Sequence, residues 1–187
     1  MSPEKGMKMT SSRFIMRAAL AAMLCATMPC AALAQSEENE VNAFSVVRGK
    51  GTGFRIADKL STFVGTLDGM FFVEGSEGPV HAGTIICSAA IEMKTEDRSY
   101  TGSGRCLITG EEGGQVFAQY TCEGYFLIGC SGTFTLTGGT ERFAGITGGG
   151  PVTMRTSVGK LKDKTEVSQS VEVEGIMFWR DLKYKLP

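Results

Sequence analysis

The side chains best suited to chemistry in this sequence are four centrally placed cysteines: Cys87, Cys106, Cys122 and Cys130. They contain no C-x-x-C pair, the arrangement that zinc sites and redox-active dithiols commonly use. Cys25 and Cys30 lie within the first 34 residues, which are predicted below to be a cleaved export signal, so these four remain. An even number of cysteines in an exported chain is typical of structural disulfides. A β-hairpin that turns between residues 96 and 97 would place Cys87 opposite Cys106 on adjacent strands. We therefore predict the bridges Cys87–Cys106 and, by elimination, Cys122–Cys130.

One histidine and two tyrosines are the other candidates for a functional site. His81 is the only histidine. It shares the apolar face of a predicted strand near that strand's start, so we expect it at the mouth of a lumen. Tyr100 and Tyr120 have the apolar, lumen-facing phase of their strands, where a buried hydroxyl needs a partner. Ligand binding is predicted for all three. The alternatives are a solvent-exposed or hydrogen-bonded histidine, and core tyrosines bonded to the backbone.

The apolar segment Tyr125-Phe126-Leu127-Ile128 falls at the tip of the hairpin that the Cys122–Cys130 bridge would close. Hairpin tips are usually polar, and contiguous exposed apolar side chains often mark a contact surface. We predict that these four residues contact a partner protein. Two alternatives remain, because the segment can also fold over the barrel end as a plug, or belong to a strand with a different pairing.

No sequence pattern assigns a catalytic residue, a cofactor or a metal. The sequence has neither the G-x-S-x-G motif of a nucleophilic serine nor the H-E-x-x-H motif of a zinc site. Its glycine-rich core stretch lacks the Lys-Ser/Thr of a phosphate-binding loop and the spacing of a dinucleotide-binding motif. Catalytic residues, cofactors and metals are therefore not predicted.

Period-two alternation predicts an all-β fold. Cys130, Gly132, Phe134 and Leu136 alternate with serine and threonine, and similar patterns recur along the chain, giving about eight strands. The first strand is expected over Phe44–Val47, followed by a flexible Gly49–Gly53 connection and an irregular or helical piece over Phe54–Leu60. Short connections between strands favour a single antiparallel, calycin-like barrel, with a two-sheet sandwich as the alternative.

A family resemblance agrees with this fold. The segment Gly138-Gly-Thr-Glu-Arg-Phe-Ala-Gly-Ile-Thr-Gly148 resembles the glycine-rich signature of allene oxide cyclase-like barrels and their dirigent relatives. Glu141 stands where that signature usually has glycine. The resemblance implies a small antiparallel barrel of about eight strands. It carries over no catalytic residue, because the pocket residues of the plant cyclases have no clear counterpart in this sequence.

The first 34 residues have the parts of an export signal: a basic start, an apolar stretch over Ala18–Met28, and the cleavage site Ala32-Leu33-Ala34. A short membrane anchor is the alternative. Residues 35–42 are polar and are expected to be mobile, and residues 43–187 form one barrel domain. The organisation predicts a periplasmic or secreted protein with no membrane span after cleavage. The formal net charge of −1 and the lack of a basic stripe exclude nucleic acid as a partner.

Three functions are compatible with these features. The first is a binding module for a small apolar ligand or a partner protein, for which no catalytic set is required. The second is a cyclase or isomerase that holds an unsaturated substrate in a reactive shape inside the lumen. The third is an inhibitor or interaction protein that acts through its N-terminal tail or its apolar hairpin tip.

Overall fold

The computed structural model describes residues 37–126, 128–158 and 168–187, so the predicted export signal and Leu127 lie outside the described residues. Eight strands account for most of the described chain. Their bounds are β1 Glu38–Ala57, β2 Leu60–Gly75, β3 Gly78–Lys94, β4 Ser99–Gly110, β5 Gln115–Tyr125, β6 Gly129–Gly139, β7 Thr147–Val158 and β8 Ser168–Lys185. A 3₁₀ helix over Glu141–Phe143 joins β6 to β7.

Each strand pairs antiparallel with its neighbours in the chain, and β1 also pairs with β8, which closes the sheet into a barrel. Val47 of β1, for example, lies opposite Gly69 of β2 and Gly175 of β8. The prediction of a single eight-stranded antiparallel barrel is confirmed. At this strand number the lumen is just wide enough for side chains to fill, or to hold one small ligand.

The connections define two ends of the barrel. The tip end carries the β1–β2, β3–β4 and β5–β6 connections, the last of which contains the apolar hairpin tip. The motif end carries the β2–β3, β4–β5 and β6–β7 connections, the last within the Gly138–Gly148 segment. Thr140 ties this segment to β5: the Gln115 N–H donates to Thr140 Oγ1 at 3.0 Å, and the Thr140 N–H donates to the Gln115 carbonyl at 2.9 Å.

The first strand is longer than its sequence predicts. β1 runs without interruption through Gly49–Gly53 and ends at Ala57, so the expected loop and helical piece are wrong. A Cβ on Gly49 would lie 2.5 Å from Leu67 Cδ2 and 2.6 Å from Val173 Cγ2. The glycine therefore makes room for neighbouring lumen side chains instead of forming a turn. β1 also begins at Glu38, before residue 43, because its first residues pair with the end of β8.

Three aromatic side chains cross the lumen and are called the aromatic cluster: Trp179, Phe71 and Phe134. The Trp179 ring centroid lies 5.4 Å from that of Phe71 and 5.2 Å from that of Phe134, in tilted and edge-to-face arrangements. Trp179 and Phe134 are fully buried. These rings come from β8, β2 and β6, which are not hydrogen-bonded to one another, so the cluster links separate parts of the wall.

Both predicted disulfides are present, and all four cysteines are buried in the core. Cys87 and Cys106 are direct cross-strand partners, with Cα atoms 4.0 Å apart. Cys122 lies opposite Gly132, and Cys130 lies opposite Gly124, so the second bridge is diagonal across the β5–β6 hairpin. A Cβ on Gly124 or Gly132 would lie 2.5 Å from the Cα of Cys130 or 2.6 Å from the Cα of Cys122, so these glycines allow the two strands to approach closely.

Replacing each cysteine pair by alanine should lower the free energy of unfolding, by about 2–4 kcal/mol for Cys87→Ala/Cys106→Ala. The Cys122→Ala/Cys130→Ala variant is the matched comparison. Its bridge spans 8 residues in sequence instead of 19, so the loop-entropy term predicts a loss smaller by roughly 0.8 kcal/mol. Urea unfolding measures both losses. Unchanged stability in the two variants would contradict the structural role of the bridges.

Candidate functional site

The lumen contains a cavity of about 340 Å³ at the tip end of the barrel. Its inner wall comes from five strands and is largely aliphatic and aromatic. The residues of this wall are Phe63, Leu67, Ile91, Met93, Tyr100, Met154, Val171 and Val173. Gly53, Phe54 and Phe126 also line the cavity, together with six more polar residues: Arg55, Ser61, Thr62, Thr95, Thr156 and Gln169. A volume of this size and an apolar wall with few polar groups are typical of small-molecule sites.

Glycines in β1 make room for side chains of the lumen. A Cβ on Gly51 would lie 2.6 Å from the ring of Phe63, so this ring occupies the space that a side chain at residue 51 would need. Leu67 occupies the corresponding space over Gly49. Farther toward the motif end, Met177 and Trp179 are fully buried. As far as the described residues show, the barrel interior is therefore filled around the aromatic cluster and open at the tip end.

Tyr100 is the predicted site residue that the structure places in the cavity. It lies on the lumen face of β4 and is 9% exposed. It is the only buried polar side chain among the described lining residues. Its hydroxyl has no hydrogen-bond partner among the described residues. Burial raises the pKa of its phenol above the ordinary value. Tyr100 therefore presents a neutral, unpaired hydroxyl to the cavity.

Tyr120 faces the interior, as predicted, but its hydroxyl is already bonded. It donates to the backbone carbonyl of Ser88 at 3.3 Å, and the ring packs over Gly104, where a Cβ would lie 2.7 Å from it. Burial, with a smaller contribution from Tyr100, raises the pKa of Tyr120 to about 12. Tyr120 does not line the cavity. Its contacts match the alternative of a core tyrosine bonded to the backbone.

His81 lies on the outer wall of the barrel. The alternation of its strand had predicted a position at the mouth of the lumen, and the structure corrects this. Residue Phe71 pairs with Gly83, whereas Phe72 pairs with His81, so a bulge at Ala82 reverses the alternation. The His81 side chain is 40% exposed, and its Nδ1 lies 2.7 Å from Glu111 Oε1. This bulge separates His81 from Tyr100 and Tyr120. The next residue, Gly83, has φ +147° in the structure. A glycine inside a strand was the only feature of the sequence that could have indicated the bulge.

The apolar hairpin tip divides between the cavity and the surface. Phe126 lines the cavity, and its N–H donates to the Arg98 carbonyl at 2.9 Å, which holds it against the β3–β4 connection. Tyr125 and Ile128 are 55% and 67% exposed. Leu127 lies outside the described residues. Contact of the tip with a partner protein stays a prediction, and Phe126 agrees in part with the alternative of a plug.

An apolar strip on the outer wall was missed in the sequence. It crosses β8, β1 and β2 and consists of Phe44, Val46, Met70, Phe72, Ile176 and Phe178. The rings of Phe44 and Phe72 stack with centroids 5.1 Å apart, while Val46 and Met70 are more than half exposed. Unbroken apolar runs such as Met70–Val73 were the available signal, because a strand with one wet face would alternate.

Two further depressions, of about 600 and 570 Å³, lie on the outside of β2–β6. Threonine, serine and glycine dominate their linings, and they are more open to solvent than the lumen cavity. They are larger but enclose less apolar surface, so the lumen cavity is the stronger candidate site.

The described residues contain no group of three or more His, Cys, Asp or Glu side chains that could hold a metal ion. Nor do they include a helix with the length and hydrophobicity to span a membrane.

Comparison with protein-family models, curated proteins and solved structures gives no match to this chain. The resemblance of Gly138–Gly148 to allene oxide cyclase-like barrels therefore stays a prediction.

Alkaline pH should destabilise the barrel through Tyr120. Below about pH 10 its phenol is protonated in both the folded and unfolded chains and adds no pH dependence. Between its ordinary value of 10.0 and the folded pKa of about 12, the unfolded chain loses a proton that the folded chain retains. The free energy of unfolding should therefore fall as the pH rises from 10 to 12.

Urea unfolding at pH 8 to 11.5 measures this fall, with Tyr120→Phe as the test variant and Tyr125→Phe, at an exposed position, as the control. The Tyr120→Phe barrel should lose stability less steeply with pH than the control. Equal slopes for the two variants would show that Tyr120 ionises normally in the folded state.

Proposed function

We propose that this protein is an exported binding barrel that holds one small, apolar molecule in the tip-end cavity. The observation that carries the proposal is the apolar space of about 340 Å³ at the tip end of the lumen, next to the part that the aromatic cluster fills. Side-chain packing leaves few voids larger than a water molecule in a typical core. A lumen with room left at one end is therefore suited to a ligand that completes its packing.

Binding is favoured over a cyclase or isomerase by the composition of the lining. Among its described residues, Arg55 is the one charged side chain, and it is exposed. General acid–base catalysis requires a positioned group that exchanges a proton near the operating pH. Tyr100, whose pKa is raised by burial, is suited to donating a hydrogen bond and poorly suited to that role.

The two disulfides are compatible with an oxidising, exported location. Together with the export signal predicted for residues 1–34, they support a place in the periplasm or the external medium. An apolar molecule that is sparingly soluble in water needs a carrier in such compartments, which agrees with a binding role.

Filling the cavity should abolish binding of a neutral apolar probe. We expect N-phenyl-1-naphthylamine to bind the oxidised protein with increased fluorescence. Ile91→Trp, at the cavity wall of β3, should weaken binding at least tenfold because the indole occupies the ligand's space. The matched control is Ile86→Trp on the outer face of the same strand, where the side chain is 48% exposed. It should bind as the wild type does.

A second control addresses the outer apolar strip. Met70→Ser removes an exposed side chain from the strip and should leave probe affinity unchanged. If Met70→Ser weakens binding and Ile91→Trp does not, the probe binds the outer wall and the proposed function is wrong. Absence of binding by the wild-type protein would also reject it.

A further inference from the structure

The polar content of the cavity restricts the chemistry of its ligand. The inner wall offers hydrocarbon surface and one buried polar group, the Tyr100 hydroxyl. A ligand that displaces water from this hydroxyl without offering it an acceptor would leave a desolvated, unpaired phenol, which costs free energy. A ligand that brings one acceptor atom to this hydroxyl would remove that cost.

The same wall disfavours a charged group deep in the cavity. No described residue of the inner wall is ionised at neutral pH, and Arg55, the one charged lining residue, is exposed. Burying an unpaired carboxylate or ammonium group away from water is strongly unfavourable. The part of the ligand that reaches Tyr100 must therefore be neutral.

Tyr120 does not compete with Tyr100 for this role. Its hydroxyl donates to the Ser88 carbonyl, and its side chain lies outside the cavity lining. The other hydroxyls of the lining lie on less buried residues, and that of Thr62 donates to the Ile91 carbonyl at 3.0 Å. Among the described polar side chains of the lining, which also include Gln169, Tyr100 is the one that is buried, so it is the donor that a ligand on the apolar inner wall meets.

We propose that the cavity selects uncharged, mainly hydrocarbon molecules that carry a carbonyl oxygen, and that the Tyr100 hydroxyl donates a hydrogen bond to that oxygen. This inference rests on the proposed function and adds the ligand's chemical class. Tyr100 is the specificity-determining residue, whereas the aliphatic wall supplies affinity that depends little on the functional group. Removal of the hydroxyl should therefore affect discrimination between ligands more than overall binding.

Two compounds of similar shape test this discrimination: benzophenone, which has a central carbonyl, and diphenylmethane, which has a methylene group instead. Calorimetry or displacement of N-phenyl-1-naphthylamine gives both affinities for the wild type and for Tyr100→Phe. The ratio of benzophenone to diphenylmethane affinity should fall roughly 3- to 10-fold in Tyr100→Phe, the range expected for one hydrogen bond. Tyr125→Phe, which removes an exposed hydroxyl, should keep the wild-type ratio.

The carbonyl stretch of bound benzophenone provides a second readout that a merely structural role of Tyr100 would not move. Its infrared frequency should be lower in the wild type than in Tyr100→Phe. An unchanged affinity ratio with no frequency difference would overturn the inference while leaving apolar binding intact. Failure of both compounds to bind the wild type more tightly than the cavity-filled Ile91→Trp variant would overturn the proposed function and the inference with it.

Discussion

Trp179, Phe71 and Phe134 meet across the lumen, and their packing decides how much of the barrel interior stays open. They extend from β8, β2 and β6, strands that the sheet connects only through the strands between them. Truncating a large buried aromatic residue to alanine typically costs about 3–5 kcal/mol, so the cluster is a major source of stability. Because an eight-stranded lumen has little width to spare, three rings fill the part that they occupy.

The open part of the lumen depends on two glycines of β1. Gly49 and Gly51 leave room against β1 for the side chains of Leu67 and Phe63. The lumen thus combines a filled region with a recess lined by aliphatic and aromatic side chains. Binding in such a recess needs no rearrangement of the strands, since ladder hydrogen bonds and the two disulfides fix the wall.

The sequence allowed the fold class and both disulfides to be predicted: alternation and a short hairpin turn placed Cys87 opposite Cys106, and elimination left the pair Cys122–Cys130. It failed where a local irregularity changes the phase. The bulge at Ala82 moves His81 outside, and alternation alone does not reveal a bulge. The glycines of Gly49–Gly53 indicated a loop, although in β1 they accommodate neighbouring side chains. Tyr100 and Tyr120 have the same phase, and only the contacts distinguish the unpaired hydroxyl from the one bonded to Ser88.

The central claim is that a ligand enters the tip end of the lumen and not a groove on the outer wall. Methionine residues lie in both places: Met93 and Met154 line the cavity, whereas Met70 is 58% exposed on the outer strip. The most direct measurement is a set of nuclear Overhauser effects between N-phenyl-1-naphthylamine and the protein labelled with ¹³C at methionine methyls. The account predicts contacts to Met93 and Met154 and none to Met70. Contacts to Met70 without contacts to Met93 and Met154 would contradict it.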